Sequence, residues 1–227
     1  MSKPLSTQPF QRDVFLADEA DQWFARNKSV LALERDDLVI NSLSLVVSKP
    51  RRILEIGCAN GWRLDRLHQL YAAECVGIDP SGKAVAQGRE IFPALDLRVG
   101  SADAIPDIDG QFDVVIFGFC FYLIDPVLHF RCVAEADRVL SDNGILVISD
   151  FLTPIPYHNV YSHREGVRSY KLEFCRYFLA HPAYNLIHRT LNHQKSDLFN
   201  PDHREGVDIL IKSLSNAFPA NPFQVKP

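Results

Sequence analysis

The segment 53–61, reading ILEIGCANG, constrains this chain more than any other. It sets an apolar β-type run directly against a glycine-rich turn, and Leu64, Leu67 and Tyr71 follow at helical spacing. Such a turn lets backbone approach a ligand closely, and the helix that opens after it presents its N-terminus to negative charge. The next β-type run ends in Asp79, eighteen positions after Gly61. That is where doubly wound nucleotide folds grip ribose hydroxyls, so a ribonucleoside cofactor is the first expectation.

The rest of the chain repeats the alternation. Residues 52–56, 75–78, 95–99, 112–117 and 144–149 read as strands, with helices predicted over 81–92 and 126–140. Alternating strands and helices imply a parallel sheet covered on both faces. Before it, residues 1–28 read as an irregular lead with a short helix. Phe15, Leu16, Ala20, Trp23 and Phe24 are spaced for one face of that helix. A further helix is expected over 36–47, stopped by Pro50. After the core, residues 151–205 hold six of the eight histidines. Two late runs, 185–191 and 207–214, are expected to close the sheet as a terminal hairpin, and the tail after them to fray. The pentapeptide HREGV occurs at 163–167 and again at 203–207, and two copies of it make no solenoid. One domain results: a lead or lid over 1–50, a nucleotide-binding core over 51–150, and a substrate-side insertion with terminal strands over 151–227.

The dinucleotide fingerprint G-x-G-x-x-G does not fit. Its register gives Gly57, Ala59 and Trp62, and a tryptophan would block the close strand–helix packing that the third glycine allows. No GK[ST] follows, so a Walker A loop is absent. The segment instead resembles the acidic-x-G-x-G-x-G motif of class I S-adenosylmethionine-dependent methyltransferases, as Glu55, Gly57, Ala59 and Gly61, with alanine for the middle glycine. Four further segments resemble that family in order: 76–81 (VGIDPS), 100–104 (GSADA), 112–122 (FDVVIFGFCFY) and 138–147 (RVLSDNGILV). The resemblance covers about residues 50–150. It implies a Rossmann-like seven-stranded α/β fold, mostly parallel, with a C-terminal antiparallel strand.

The resemblance also assigns residues. The turn Gly57, Cys58, Ala59, Asn60 and Gly61 would lie along the amino-acid part of S-adenosylmethionine, with Glu55 orienting the loop or the ammonium. Asp79, with Pro80 and Ser81, would hold the ribose. Asp103, flanked by Ala102 and Ala104, would receive the adenine amino group, and Phe119 and Cys120 would lie near the sulfonium. If the N-terminal segment is a lid, Trp23 and Arg26 reach the same site. The flanks 23–27 (WFARN) and 166–172 (GVRSYKL) resemble a bacterial subgroup associated with sugar modification. The expected reaction is therefore O-methylation of a sugar-like small molecule. A hydroxyl acceptor needs a base, most often histidine. His158 or His163 is the expected base, with Tyr122 shaping the pocket. The alternatives are N- or C-methylation of another small metabolite, or a non-catalytic S-adenosylmethionine-binding module.

Composition excludes several other classes. The net charge of −4 argues against a nucleic-acid binder working through bulk charge, and the 118–122 loop lacks the [DN]-P-P-[YF] signature of nucleic-acid amine methylation. No run approaches the roughly eighteen apolar residues of a membrane helix, and the first residues lack a signal peptide's apolar stretch. A cytoplasmic monomer or homodimer is expected. The five cysteines form no CxxC pair, and the histidine pairs 158/163 and 188/193 lack HExxH spacing, so no metal site is expected.

Overall fold

The structure is a computed structural model that describes residues 10–31, 36–192, 199–221 and 223. The described residues begin with α1 (Gln11–Val14), a π-helical turn (Phe15–Glu19), α2 (Ala20–Leu31) and α3 (Leu38–Ser44). The core follows as β1 (Arg52–Ile56), α4 (Trp62–Tyr71), β2 (Glu74–Asp79), α5 (Gly82–Ile91), β3 (Asp96–Val99), β4 (Phe112–Gly118), α6 (His129–Val139) and β5 (Leu140–Phe151). The last third holds the hairpin β6 (Tyr157–Val160) and β7 (Arg168–Lys171), then α7 (Cys175–Leu179), β8 (Tyr184–Leu191) and β9 (Glu205–Lys212).

Seven strands form one sheet in the order β3-β2-β1-β4-β5-β9-β8. β1 to β5 are parallel, and β9 runs antiparallel to both β5 and β8. This is the expected Rossmann-like α/β architecture, and the late hairpin closes the sheet as β8 and β9. The strand order reverses between β1 and β4, and at such a switch point the loops diverge to leave a crevice. Register sets the crevice level. Ile56 pairs with both Ile78 and Phe117, so Gly57, Asp79 and Gly118 emerge side by side at the carboxyl edge.

Two cores flank the sheet, as near-continuous apolar strands require. Leu54, Ile56, Val115, Phe117, Leu146 and Ile148 pack with α6 and α7 through Cys132, Ala136 and Phe178. The alternate residues, Ile53, Val114, Ile116 and Val147, pack with α3 and α4 through Leu43, Leu64 and Leu67. The turns are built by local chemistry. Asp37 caps α3 by accepting from the Ile40 amide at 3.0 Å, and Ser81 caps α5 by accepting from the Ala84 amide at 3.0 Å.

Three expectations change. The leading helix is longer than predicted, and its π turn shifts the register: Phe15, Ala20 and Phe24 are buried while Leu16 stays exposed. The hairpin β6–β7 and the short α7 had no periodic signal, because four-residue strands such as YHNV and RSYK carry too little alternation. The two HREGV copies adopt different backbones. The first is the hairpin turn, with Gly166 at φ +79°, and the second runs into β9. Both copies bury their valine, Val167 and Val207.

Candidate functional site

A cleft of about 850 Å³, counting its open mouth, lies over the carboxyl ends of β1, β2 and β4. The turn after β1 makes its floor. Gly57, Ala59 and Gly61 take φ of +77°, +50° and +80°. Glycine is required at position 57 twice over, since an added Cβ would also sit 2.7 Å from the Cys120 Cβ. Ala59 accepts left-handed strain of about 1–2 kcal/mol, which its packing against Phe24 and Ala84 helps to offset. The turn's amides are used internally: Gly57 and Cys58 donate to the Ile78 carbonyl at 2.8 and 3.3 Å, and Ala59 donates to Asp79 Oδ2 at 2.8 Å. The turn is therefore clamped to the end of β2. Asp79 also accepts from the Ser81 amide at Oδ1, 2.8 Å away. Burial still raises its carboxyl to about 6.

At the other end of the cleft, Asp103 is almost fully buried. It accepts from Ser101 Oγ at 2.7 Å and from Arg12 Nη1 at 2.8 Å. Burial alone would raise this carboxyl, but the Ser101 hydroxyl and the Arg12 guanidinium outweigh it and hold Asp103 below the usual range. Phe119 forms part of the third wall from a left-handed backbone at φ +61°, a conformation few aromatic residues adopt. Its ring meets Tyr122 and Phe151 at centroid distances of 5.2 and 5.3 Å. Burial pushes the Tyr122 phenol's pKa far up, so it stays protonated at neutral pH.

Of the residues named from sequence, Trp23, Gly57, Asp79, Pro80, Ala102, Asp103, Phe119 and Cys120 line the cleft. Cys58, Ala59, Asn60, Gly61, Ser81 and Ala104 stand behind it as turn and cap. Arg26 instead bonds the buried Glu19 at 2.6 Å and the Tyr161 hydroxyl at 3.1 Å. The histidines lie elsewhere. His158 is exposed, and Arg168 Nη1, which can only donate, sits 2.6 Å from its Nε2 lone pair. His163 is exposed in the hairpin turn against the Tyr161 ring. His129 is a buried structural residue between Tyr177 and the Ile124 carbonyl. His193 and the tail beyond Asn221, apart from Phe223, lie outside the described residues. Sequence reasoning missed Arg12, whose partner is 91 residues away and leaves no local signal. It also missed the cleft-lining role of Phe15, which was read only as helix packing.

Glu55 lies beneath the turn, fully buried, paired with Arg63 Nη1. Arg63 also donates to both oxygens of Asp37 at 3.1 and 3.3 Å. One cation thus serves two buried carboxylates, and burial raises Glu55 to about 7 against the pull of Arg63. Asp150, at the end of β5, accepts from the amides of Tyr122 and Phe151 at 3.2 and 2.8 Å and so fixes the β4 loop. Burial raises it to about 8.

Comparison with known proteins agrees with this geometry. Residues 53–144 match the family described as a methyltransferase domain. An uncharacterized methyltransferase of Schizosaccharomyces pombe is 32% identical over 102 residues, covering 45% of this chain and 39% of that protein. The ubiquinone biosynthesis O-methyltransferase of Azorhizobium caulinodans is 33% identical over 134 residues, covering 55% and 51%. The chain thus spans about half or less of these relatives' length. Among solved structures, the 1,6-didemethyltoxoflavin-N1-methyltransferase of Burkholderia thailandensis, holding its acceptor and S-adenosylhomocysteine, superposes with a TM-score of 0.69 at 13% identity. It covers 94% of this chain and 93% of its own.

Two outcomes follow for stability. Arg63→Met removes the cation paired with the fully buried Glu55 and is expected to cost about 3–5 kcal/mol in urea unfolding, with partial recovery when Glu55→Gln is added. Asp150 takes up a proton on folding, so its contribution is full below the ordinary carboxylate pKa of about 3.9 and is lost as pH rises through about 8. Glu55 and Asp79 act in the same direction at lower pH. The urea midpoint is expected to fall between pH 6 and 9, and Asp150→Asn is expected to flatten that fall. An unchanged slope would contradict this assignment.

Residues 53–144 match a methyltransferase domain, and the described residues share their seven-stranded Rossmann-like fold with a methyltransferase that holds S-adenosylhomocysteine.

Proposed function

We propose that this chain is an S-adenosylmethionine-dependent methyltransferase acting on a small, flat acceptor. The observation that carries the reading is the cleft itself, with Asp79 at the end of β2, Asp103 at the far end, and a glycine turn that a Cβ at position 57 would block. The residues fit the cofactor. Asp79 keeps free lone pairs for ribose hydroxyls, Asp103 for the adenine amino group, and Gly57 opens the floor for the amino-acid part. When bound, the cofactor supplies a methyl group on a sulfonium, a leaving group that is already activated.

The protein's own work is alignment and exclusion of water. Phe119 lines the cleft, with the Tyr122 and Phe151 rings packed against it at centroid distances of 5.2 and 5.3 Å. The three aromatic side chains that line the cleft, Phe15, Trp23 and Phe119, favour a flat aromatic or heteroaromatic acceptor over a sugar. Tyr122 stays protonated and packs against the Phe119 ring. It cannot serve as the base, and neither His158 nor His163 lines the cleft. An acceptor whose own acidity is high, such as a phenol or a ring N–H, needs little help from a base. The small-molecule acceptors of the two named relatives are in keeping with this reading. Sugar O-methylation has only the likeness of residues 23–27 and 166–172 behind it.

The test is turnover with S-adenosylmethionine and two acceptor panels, hydroxylated aromatics with nitrogen heterocycles against sugar nucleotides, read by mass spectrometry. Methylated flat acceptors are expected, with KM raised about tenfold or more by Phe119→Ala through lost ring burial. Methylated sugar nucleotides with the flat panel untouched would overturn the acceptor assignment. Cofactor binding with no product from either panel would favour a non-catalytic binding module.

A further inference from the structure

The N-terminal segment is fastened around the rim of the cleft by three separate polar contacts. Gln11 is buried and fully engaged. Its Nε2 donates to the Leu123 carbonyl at 2.9 Å and to the Arg168 carbonyl at 3.1 Å, and its Oε1 accepts from the Arg168 amide at 2.7 Å. Its own amide donates to Asp125 Oδ2 at 2.6 Å. One glutamine therefore ties the helix to the β4 loop and to the β6–β7 hairpin. The next residue, Arg12, reaches the other way, to Asp103. Two turns further on, Asp21 accepts from Ser81 Oγ at 2.7 Å and from the Lys83 amide at 3.0 Å, beside Asp79. Phe15 and Ala20 between these fastenings, and Trp23 just after them, face the cleft as its roof.

These contacts are unequal. The Gln11 and Asp21 contacts hold backbone and loops, whereas the Arg12–Asp103 pair crosses the cleft and joins two residues that both line it. Asp103 is 2% exposed and Arg12 30% exposed at the side chain, so the pair can be broken only by moving the arginine outward. We propose that the Arg12–Asp103 pair is a latch on the cofactor site, positioned by Gln11, whose opening limits release of the adenosyl ligand. The inference rests on the S-adenosylmethionine reading given above. It makes the N-terminal helix a gate at the adenine end of the cleft.

The experiment is stopped-flow release of S-adenosylhomocysteine from the full chain, at low and high salt. Loss of one charge-assisted, largely buried hydrogen bond is worth about tenfold in rate. Arg12→Ala is therefore expected to release the ligand about tenfold faster than wild type. Gln11→Ala is expected to shift release the same way by loosening the latch's anchor. Wild-type release should quicken with salt, and Arg12→Ala release should not. Arg51→Ala, at an exposed surface arginine, should behave as wild type. Should Arg12→Ala fail to fold, Gln11→Ala and the wild-type salt response carry the same test. Wild-type release rates in both variants, or release indifferent to salt in the wild type, would overturn the latch alone. Failure of the wild type to bind S-adenosylhomocysteine at all would overturn the cofactor reading and the latch together.

Discussion

The Asp79 carboxylate bonds the Ala59 amide, and this contact joins the ends of two neighbouring parallel strands. The glycine turn depends on it. Parallel register brings Ile56 level with Ile78, the Ile78 carbonyl takes the amides of Gly57 and Cys58, and Asp79 takes the next amide along. The chain can then turn back only with left-handed residues, and Gly57, Ala59 and Gly61 are those residues. The same clamp leaves an acidic group facing the crevice that the strand-order reversal opens. One side chain thus sets the local backbone geometry and presents the acid on which the proposed ligand recognition rests.

Charge is handled differently at the two levels of the site. Beneath the turn, Arg63 is shared between Glu55 and Asp37 in a dry environment, which rigidifies the floor and leaves Glu55 easily protonated. At the rim, Asp103 has a cation from a remote segment, and the partly exposed arginine can move. Buried pairs of the first kind fix a structure, since breaking one leaves an unpaired charge. The second kind can open at modest cost, which suits a boundary that ligands must cross.

Much of this was legible in the sequence because it was written locally. Strand runs such as FDVVIF and the ILEIGCANG turn carry their own periodicity and turn chemistry, and Asp79 follows from strand length alone. The late β8–β9 hairpin was visible for the same reason. What was illegible rests on long-range pairing. Arg12 and Gln11 act on residues 91 to 157 positions away. The π turn that exposes Leu16 has no sequence pattern of its own. Histidine density in 151–205 pointed to a base, yet His158 and His163 lie on an exposed hairpin whose four-residue strands gave no signal. Residue type without placement was a poor guide there, whereas residue type with a fixed spacing, as at Gly57 and Asp79, located two residues that line the cleft.

The central claim is that this cleft binds an adenosyl ligand through Asp79. Calorimetric titration of S-adenosylhomocysteine into the wild type and Asp79→Asn, with NAD as control, tests it most directly. The account predicts binding by the wild type, affinity lower by about tenfold or more in Asp79→Asn through loss of a charged acceptor, and no binding of NAD. Equal affinity in wild type and variant, or no binding of S-adenosylhomocysteine by a folded wild type, would contradict it.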